Sequence, residues 1–125
     1  MGERFTGKVA IVTGAGGGIG EAYARGLAAE GAAVVIAEIN ETAGQSVAES
    51  ITDDGGRAVA VTTDVSDEAS TQTMAAATVE AFGQIDILVN NAAIYGDMRM
   101  DSLLTVPWDY YQRFMSVNMN GALLC

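Results

Sequence analysis

The chain is poor in several things that narrow what it can do. Cysteine occurs once, at Cys125, so no intrachain disulfide can form. Six basic residues stand against sixteen acidic ones, and the net charge of −10 repels nucleic acid and anionic lipid alike, so neither is an expected partner. No apolar run approaches the ~20 residues of a membrane span. Glu3 and Arg4 charge the start of the chain, and no apolar segment of signal-peptide length comes after them, so a reducing, cytoplasmic setting is expected. Lysine is down to Lys8, and no residue is assigned to a metal. What is abundant is apolar and small: half of the 125 residues are hydrophobic, which excludes disorder, and the length suits a single domain.

One stretch organises the rest. Val9 to Val12 is an apolar run, and Thr13-Gly14-Ala15-Gly16-Gly17-Gly18-Ile19-Gly20 comes directly after it, which reads as a buried strand turning straight into a helix. Glycines let such a turn tighten and let a ligand approach the backbone. The unpaired N–H groups at the start of the next helix point at the same place and suit a phosphate. A nucleoside triphosphate loop would need Lys and Ser or Thr after its last glycine, but Glu21 stands after Gly20. The common G-x-G-x-x-G spacing also fails, because Ile19 stands where the third glycine belongs.

The pattern T-G-x-x-x-G-x-G is met by Thr13, Gly14, Gly18 and Gly20, and it resembles the glycine motif of the classical short-chain dehydrogenase/reductase family. Downstream, strand-like and helix-like segments alternate. The expected strands are Val9–Thr13, Ala33–Ala37, 57–63 and 85–89. The expected helices are 19–30, with Ile19, Tyr23 and Leu27 inward; one capped by Asn40, with Ala43, Val47 and Ile51 inward; and one capped by Ser66, with Met74, Ala77, Ala81 and Phe82 inward. An irregular segment from Ile94 to about Leu104 precedes a last helix with Thr105 as cap and Pro107 in its first turn. Alternation with short connections implies an α/β, doubly wound parallel sheet of Rossmann type, here about four strands with flanking helices over residues 1–125. Ligands of such sheets bind at the carboxyl ends of the strands, where the glycine turn, Glu38, Asp64 and Asn90-Asn91 all fall.

The resemblance and the chemistry together assign a site for NAD. Gly14, Gly17, Gly18, Ile19 and Gly20 would take the diphosphate. Glu38 lies eighteen positions past Gly20 and can accept from both adenosine ribose hydroxyls, whereas a 2′-phosphate would meet its negative charge with no cation at Gly17 or Ile39 to offset it. NAD is therefore expected over NADP. Asp64-Val65 resembles the family's adenine-holding pair, with a helix cap or a partner of the helix dipole as the competing role for Asp64. Asn90-Asn91-Ala92-Ala93 resembles the family's Asn-Asn-Ala-Gly, so Asn91 and Ala92 are expected at the cofactor. Ala93 stands for the glycine, and the sequence leaves open whether that position needs a positive φ or only a small side chain. Asn118 matches the asparagine of the family's catalytic tetrad, whose main-chain carbonyl holds a relay water at a distortion of the helix. Trp108, Phe114 and Met98, Met100, Met115 and Met119 read as core or interface rather than chemistry.

The resemblance also implies a serine, a tyrosine and a lysine four positions after the tyrosine. No Tyr-x-x-x-Lys occurs here: Tyr23, Tyr95, Tyr110 and Tyr111 have Leu27, Arg99, Phe114 and Met115 at that spacing. Tyr95…Arg99 is the nearest imitation and is read as coincidence. The expectation is thus the amino-terminal half of an oxidoreductase acting on a small alcohol or ketone, inactive by itself, from a protein that forms homodimers or homotetramers. A non-catalytic dinucleotide-binding or scaffold module, and a split or domain-swapped protein, are the competing readings.

Overall fold

The computed structural model describes residues 2–96 and 98–125; Met1 and Asp97, the latter inside the irregular segment, lie outside the described residues. Val9–Thr13 (β1), Ala33–Glu38 (β2), Arg57–Thr62 (β3) and Ile87–Val89 (β4) form one parallel sheet in the order β3-β2-β1-β4. In register, Val12 of β1 lies between Ile36 of β2 and Val89 of β4. The order of strands reverses between β1 and β4, as the alternating pattern of the sequence implies.

Helices Gly18–Ala29 (α1), Glu41–Asp53 (α2) and Glu68–Phe82 (α3) make the crossovers. Side chains alternate along a strand, so β1 and β2 divide the core in two. Val12, Val34 and Ile36 pack with Ala24, Ala28, Val47 and Ile51 of α1 and α2, while Ile11, Val35 and Ala37 pack with Met74 of α3. Every residue of β1 is buried, and β2 is buried from Ala33 to Ala37, which explains their unbroken apolar runs. After β4 come Trp108–Met115 (α4), a π-helical turn at Ser116–Asn120 and a short helix Gly121–Leu124 (α5). The distortion expected at Asn118 is this π-turn.

Several local expectations are corrected. In α1 the four-residue period holds but its phase is shifted by one: Gly20, Ala24 and Ala28 face the sheet, while Ile19 is 68% and Tyr23 51% exposed. The reason is clearance, because a Cβ on Gly20 would run into the Gly14 carbonyl, so only a small-residue stripe lets α1 sit this close. In α2, Gly44 and Ala48 join Val47 and Ile51 inward, and Ala43 is only half-buried. In α3 the inward residues are Thr71, Met74 and Thr78 rather than Ala81, with both hydroxyls donating to carbonyls of their own helix, those of Glu68 and Met74, at 2.8 Å. Asp67, not Ser66, caps α3 by accepting from Ser70 N. Asn40 caps α2 as expected, accepting from Ala43 N. Pro107 occupies the cap position of α4, and Thr105 instead donates to the Ser102 carbonyl. Trp108, Met98, Met100 and Met119 are exposed, so they are not core.

The fourth strand is shorter than the apolar pattern suggested because Asp86 interrupts it. Its carboxylate turns back to accept from Val9 N at 2.8 Å and from Gln84 Nε2 at 2.7 Å, with Lys8 Nζ 3.7 Å away. This pins the amino ends of β1 and β4 together, on the far side of the sheet from the glycine turn. The hydrogen bond from the Val9 backbone, aided by Gln84 and Lys8, holds the Asp86 carboxyl below its ordinary range.

Two measurements probe this architecture. Ala24→Leu should lower the urea midpoint by an amount equivalent to about 1–3 kcal/mol of overpacking, whereas Ile19→Ala should stay within about 0.5 kcal/mol of wild type; the reverse ranking would restore a core role for Ile19 and its stripe. Because the Asp86 pKa is depressed on folding, its stabilising effect is complete above the unfolded value of about 4 and is lost as pH falls through the lower folded value. Asp86→Asn should therefore flatten the acid limb of the stability profile below about pH 4, and an unchanged limb would rule out this carboxylate as its source.

Candidate functional site: a cleft at the carboxyl ends of β1, β2 and β4

A cleft of about 690 Å³ opens where the sheet reverses, lined by Gly14, Gly17, Gly18, Ile19, Glu38, Asp64, Val65, Asn91, Ala92 and Val117 among others. Of the residues assigned from sequence to a cofactor, all but Gly20 contribute to its lining. Gly20 lies one layer beneath, buried against Gly14 and Asn91, and acts on the cleft by packing.

The floor of the cleft is built on Thr13. Its buried hydroxyl accepts from both Asn91 N and Ala92 N at 3.0 Å and lies 3.3 Å from the Val89 carbonyl, to which it donates. Asn91 returns the contact: its side-chain amide donates to the carbonyls of Thr13 at 3.1 Å and Gly14 at 3.2 Å. The ends of two neighbouring strands are thereby locked with their polar groups satisfied, and the chain can leave each strand without exposing an orphaned donor. Gly14 has φ +64° and its Cα faces Ala92, where a Cβ would come within 2.8 Å of the Ala92 Cα. Spacing alone gave Thr13 no role beyond the motif, because its partners Asn91 and Ala92 lie far along the chain.

The wall is the start of α1. Asn40 and Asp67 cap α2 and α3 with side chains, but the cap position of α1 is Gly17, which has no side chain to offer. Gly17 and Gly18 meet nothing within 4 Å of an added Cβ, so their backbone borders open space. That cradle fits a diphosphate: backbone donors at a helix start with no side chain in the way.

Opposite stands Glu38, at the end of β2. One carboxylate oxygen accepts from Gly16 N at 3.0 Å and the other from Asn40 N at 3.3 Å, so the group is oriented by two backbone donors. Asp64 has one oxygen, Oδ1, accepting from Ser66 N and Ser66 Oγ. It forms a turn and does not cap α3, which removes the cap as its competing role. Val65 comes next, in the cleft wall, and touches α5, where Gly121 leaves the room for it.

Asn118 sits in the π-turn. Its side chain accepts from Ile94 N at 2.7 Å and donates to the Ile94 carbonyl at 3.1 Å, fixing the loop after β4 against the last helices. Among the described residues no non-glycine residue has a positive φ, so Ala93 needs only to be small, and it faces the cleft with Arg113. Arg113 was not anticipated. Arg99 engages Asp101 and the Tyr110 ring and hydroxyl rather than Tyr95, so the Tyr95…Arg99 spacing carries no pairing.

Comparison with known proteins agrees with this architecture. The family model described as short chain dehydrogenase matches residues 8–125. An uncharacterised oxidoreductase of Mycobacterium tuberculosis is 60% identical over 121 residues, covering 97% of this chain and 49% of that protein. A meso-2,3-butanediol dehydrogenase of Serratia marcescens is 41% identical over 122 residues, covering 98% and 47%. The crystal structure of a 3-ketoacyl-(acyl-carrier-protein) reductase from Brucella melitensis complexed with NADH superposes with a TM-score of 0.88 at 38% identity, covering 96% of this chain and 48% of that one. The chain spans about half the length of the curated relatives it matches. With the glycine turn, the sheet order and the Asn91 lock all in place, this chain belongs to the short chain dehydrogenase family.

Proposed function

We propose that the chain is the cofactor-holding, amino-terminal portion of an NAD(H)-dependent oxidoreductase that moves a hydride between nicotinamide and a small alcohol or ketone. The observation that carries the choice of NAD is Glu38, a carboxylate held by Gly16 N and Asn40 N at the rim of the cleft. Each oxygen keeps lone-pair capacity for a ribose hydroxyl, whereas a 2′-phosphate would face a fixed negative charge. The NADH-bound reductase among the structural neighbours supports a nicotinamide cofactor in this fold.

In this reading Gly17, Gly18 and Ile19 receive the diphosphate on backbone N–H groups, Gly14, whose own N–H donates to the Ala37 carbonyl at 2.8 Å, lets the turn close beside them, and Gly20 supports them from below. Asp64 and Val65 flank the adenine, with the Val65 backbone amide as donor. Asn91 and Ala92 hold the carboxyl end of β4 beside the cofactor. Asn118 is the tetrad asparagine, acting from the π-turn, and the segment 94–104 begins the substrate pocket. When bound, the nicotinamide supplies or accepts the hydride. The family's proton-handling pair, a tyrosine with a lysine four positions on, has no match among these 125 residues. The complete protein acts as a homodimer or homotetramer in the cytoplasm.

Fluorescence titration tests this. The chain should bind NADH roughly tenfold or more tighter than NADPH, the scale of one charge-assisted contact against one charge repulsion, and should oxidise no NADH with a panel of small ketones. Tighter NADPH binding would overturn the cofactor assignment, and turnover by this chain would overturn its inactivity.

A further inference from the structure

The five glycines of the turn are present for different reasons, and one of those reasons is a neighbouring side chain. Gly14 and Gly18 have positive φ angles of +64° and +56°. Gly20 is forced by the Gly14 carbonyl, and Gly17 borders open space. Gly16 has none of these grounds: its φ is not positive, and no backbone atom is among the nearest to its missing side chain. What a Cβ there would meet is Glu38, with Cγ and Oε1 both at 2.5 Å and Cδ at 2.8 Å. The same Gly16 donates its N–H to Glu38 Oε1.

We infer that Gly16 is a specificity-determining, positioning residue: its missing side chain is the seat into which the Glu38 carboxylate fits, and its N–H fixes that carboxylate in the orientation that selects NADH. The inference rests on the cofactor reading above and extends it to a residue that is not expected to touch the selected ribose. Glu38 is long enough to fold back over the turn, and the seat converts that length into a defined position. A methyl group at position 16 would overlap Cγ as well as the carboxylate, so the Glu38 side chain must turn about its Cα–Cβ bond, which carries the carboxylate out of the seat while the backbone stays in place. The consequence is unusual for a glycine in such a turn. Substitution should spare folding and alter ligand choice.

The test is a two-residue cycle with NADH and NADPH as probes in wild type, Gly16→Ala, Glu38→Ala and the double variant, with Gly20→Ala as a folding control. Gly16→Ala should melt close to wild type, lose roughly tenfold in NADH affinity, as expected for a lost charge-assisted contact, and change little toward NADPH. On the Glu38→Ala background the same substitution should have no further effect on the ratio. Gly20→Ala should melt lower, since the Gly14 carbonyl blocks it. An unchanged NADH:NADPH ratio in Gly16→Ala, or an equal loss with and without Glu38, would overturn the inference. A second readout needs no cofactor: the Gly16 amide should be protected from hydrogen exchange in wild type and lose that protection in Glu38→Ala. If wild type prefers NADPH, the cofactor reading fails by itself. The Gly16 amide protection and the coupling measured with the preferred dinucleotide then still decide the Gly16–Glu38 pair, and absence of both would overturn it.

Discussion

The structure turns on the reciprocal contact between Thr13 and Asn91. A parallel sheet whose strand order reverses must end two adjacent strands side by side, and each end releases backbone donors and acceptors that the ladder no longer satisfies. Here one hydroxyl takes two N–H groups from the far strand, and one side-chain amide takes two carbonyls from the near one. Buried polar groups that are fully paired make a rigid junction, whereas the same groups half-paired would cost about 1–3 kcal/mol each. The rigid junction lets Gly14 lie against Ala92 and Gly20 lie against Gly14, so that α1 begins at a defined depth in the cleft.

That depth governs the layers farther out. The small-residue face of α1 is a condition for the close approach, and the absence of a side-chain cap leaves its first turn open toward the cleft. Glu38 extends the same arrangement to the second strand, since its carboxylate is tied to the turn through Gly16 and to the next helix through Asn40. Three strand ends therefore share one hydrogen-bonded surface, which is what a long, multi-part ligand requires of a binding site. At the opposite edge Asp86 and Lys8 perform a purely mechanical task.

The sequence displayed the sheet well because β1 and β2 are buried on both faces, and nothing but continuous apolar, β-branched residues suits that position. It displayed the helix periods but not all their phases. Ile19 and Tyr23 look like members of a core stripe with Leu27, which does pack against the core, until the clearance beneath the start of α1 is known, and that clearance is set by Gly14, in the turn before the helix. Thr71 and Thr78 were likewise hidden, because a threonine that bonds its own helix can be buried at little cost and hydropathy does not register this. The glycine turn, Glu38 and the Asn-Asn segment were legible from type and spacing. Thr13 and Gly16 were visible as letters only, since their partners lie 78 and 22 positions away along the chain.

The π-turn at Ser116–Asn120 lies between α4 and α5 and holds one residue more than an α-helical path would need. Arg113 before the turn and Val117 within it face the cleft; after it, Gly121 meets Val65, which itself stands in the cleft wall. Removing a single residue from this turn would let the helix relax to regular winding, swing the Asn118 amide away from Ile94 and rotate α5 off the Val65 side of the fold. The loop behind β4 and the last helix are thus kept in step by a local error in helical counting.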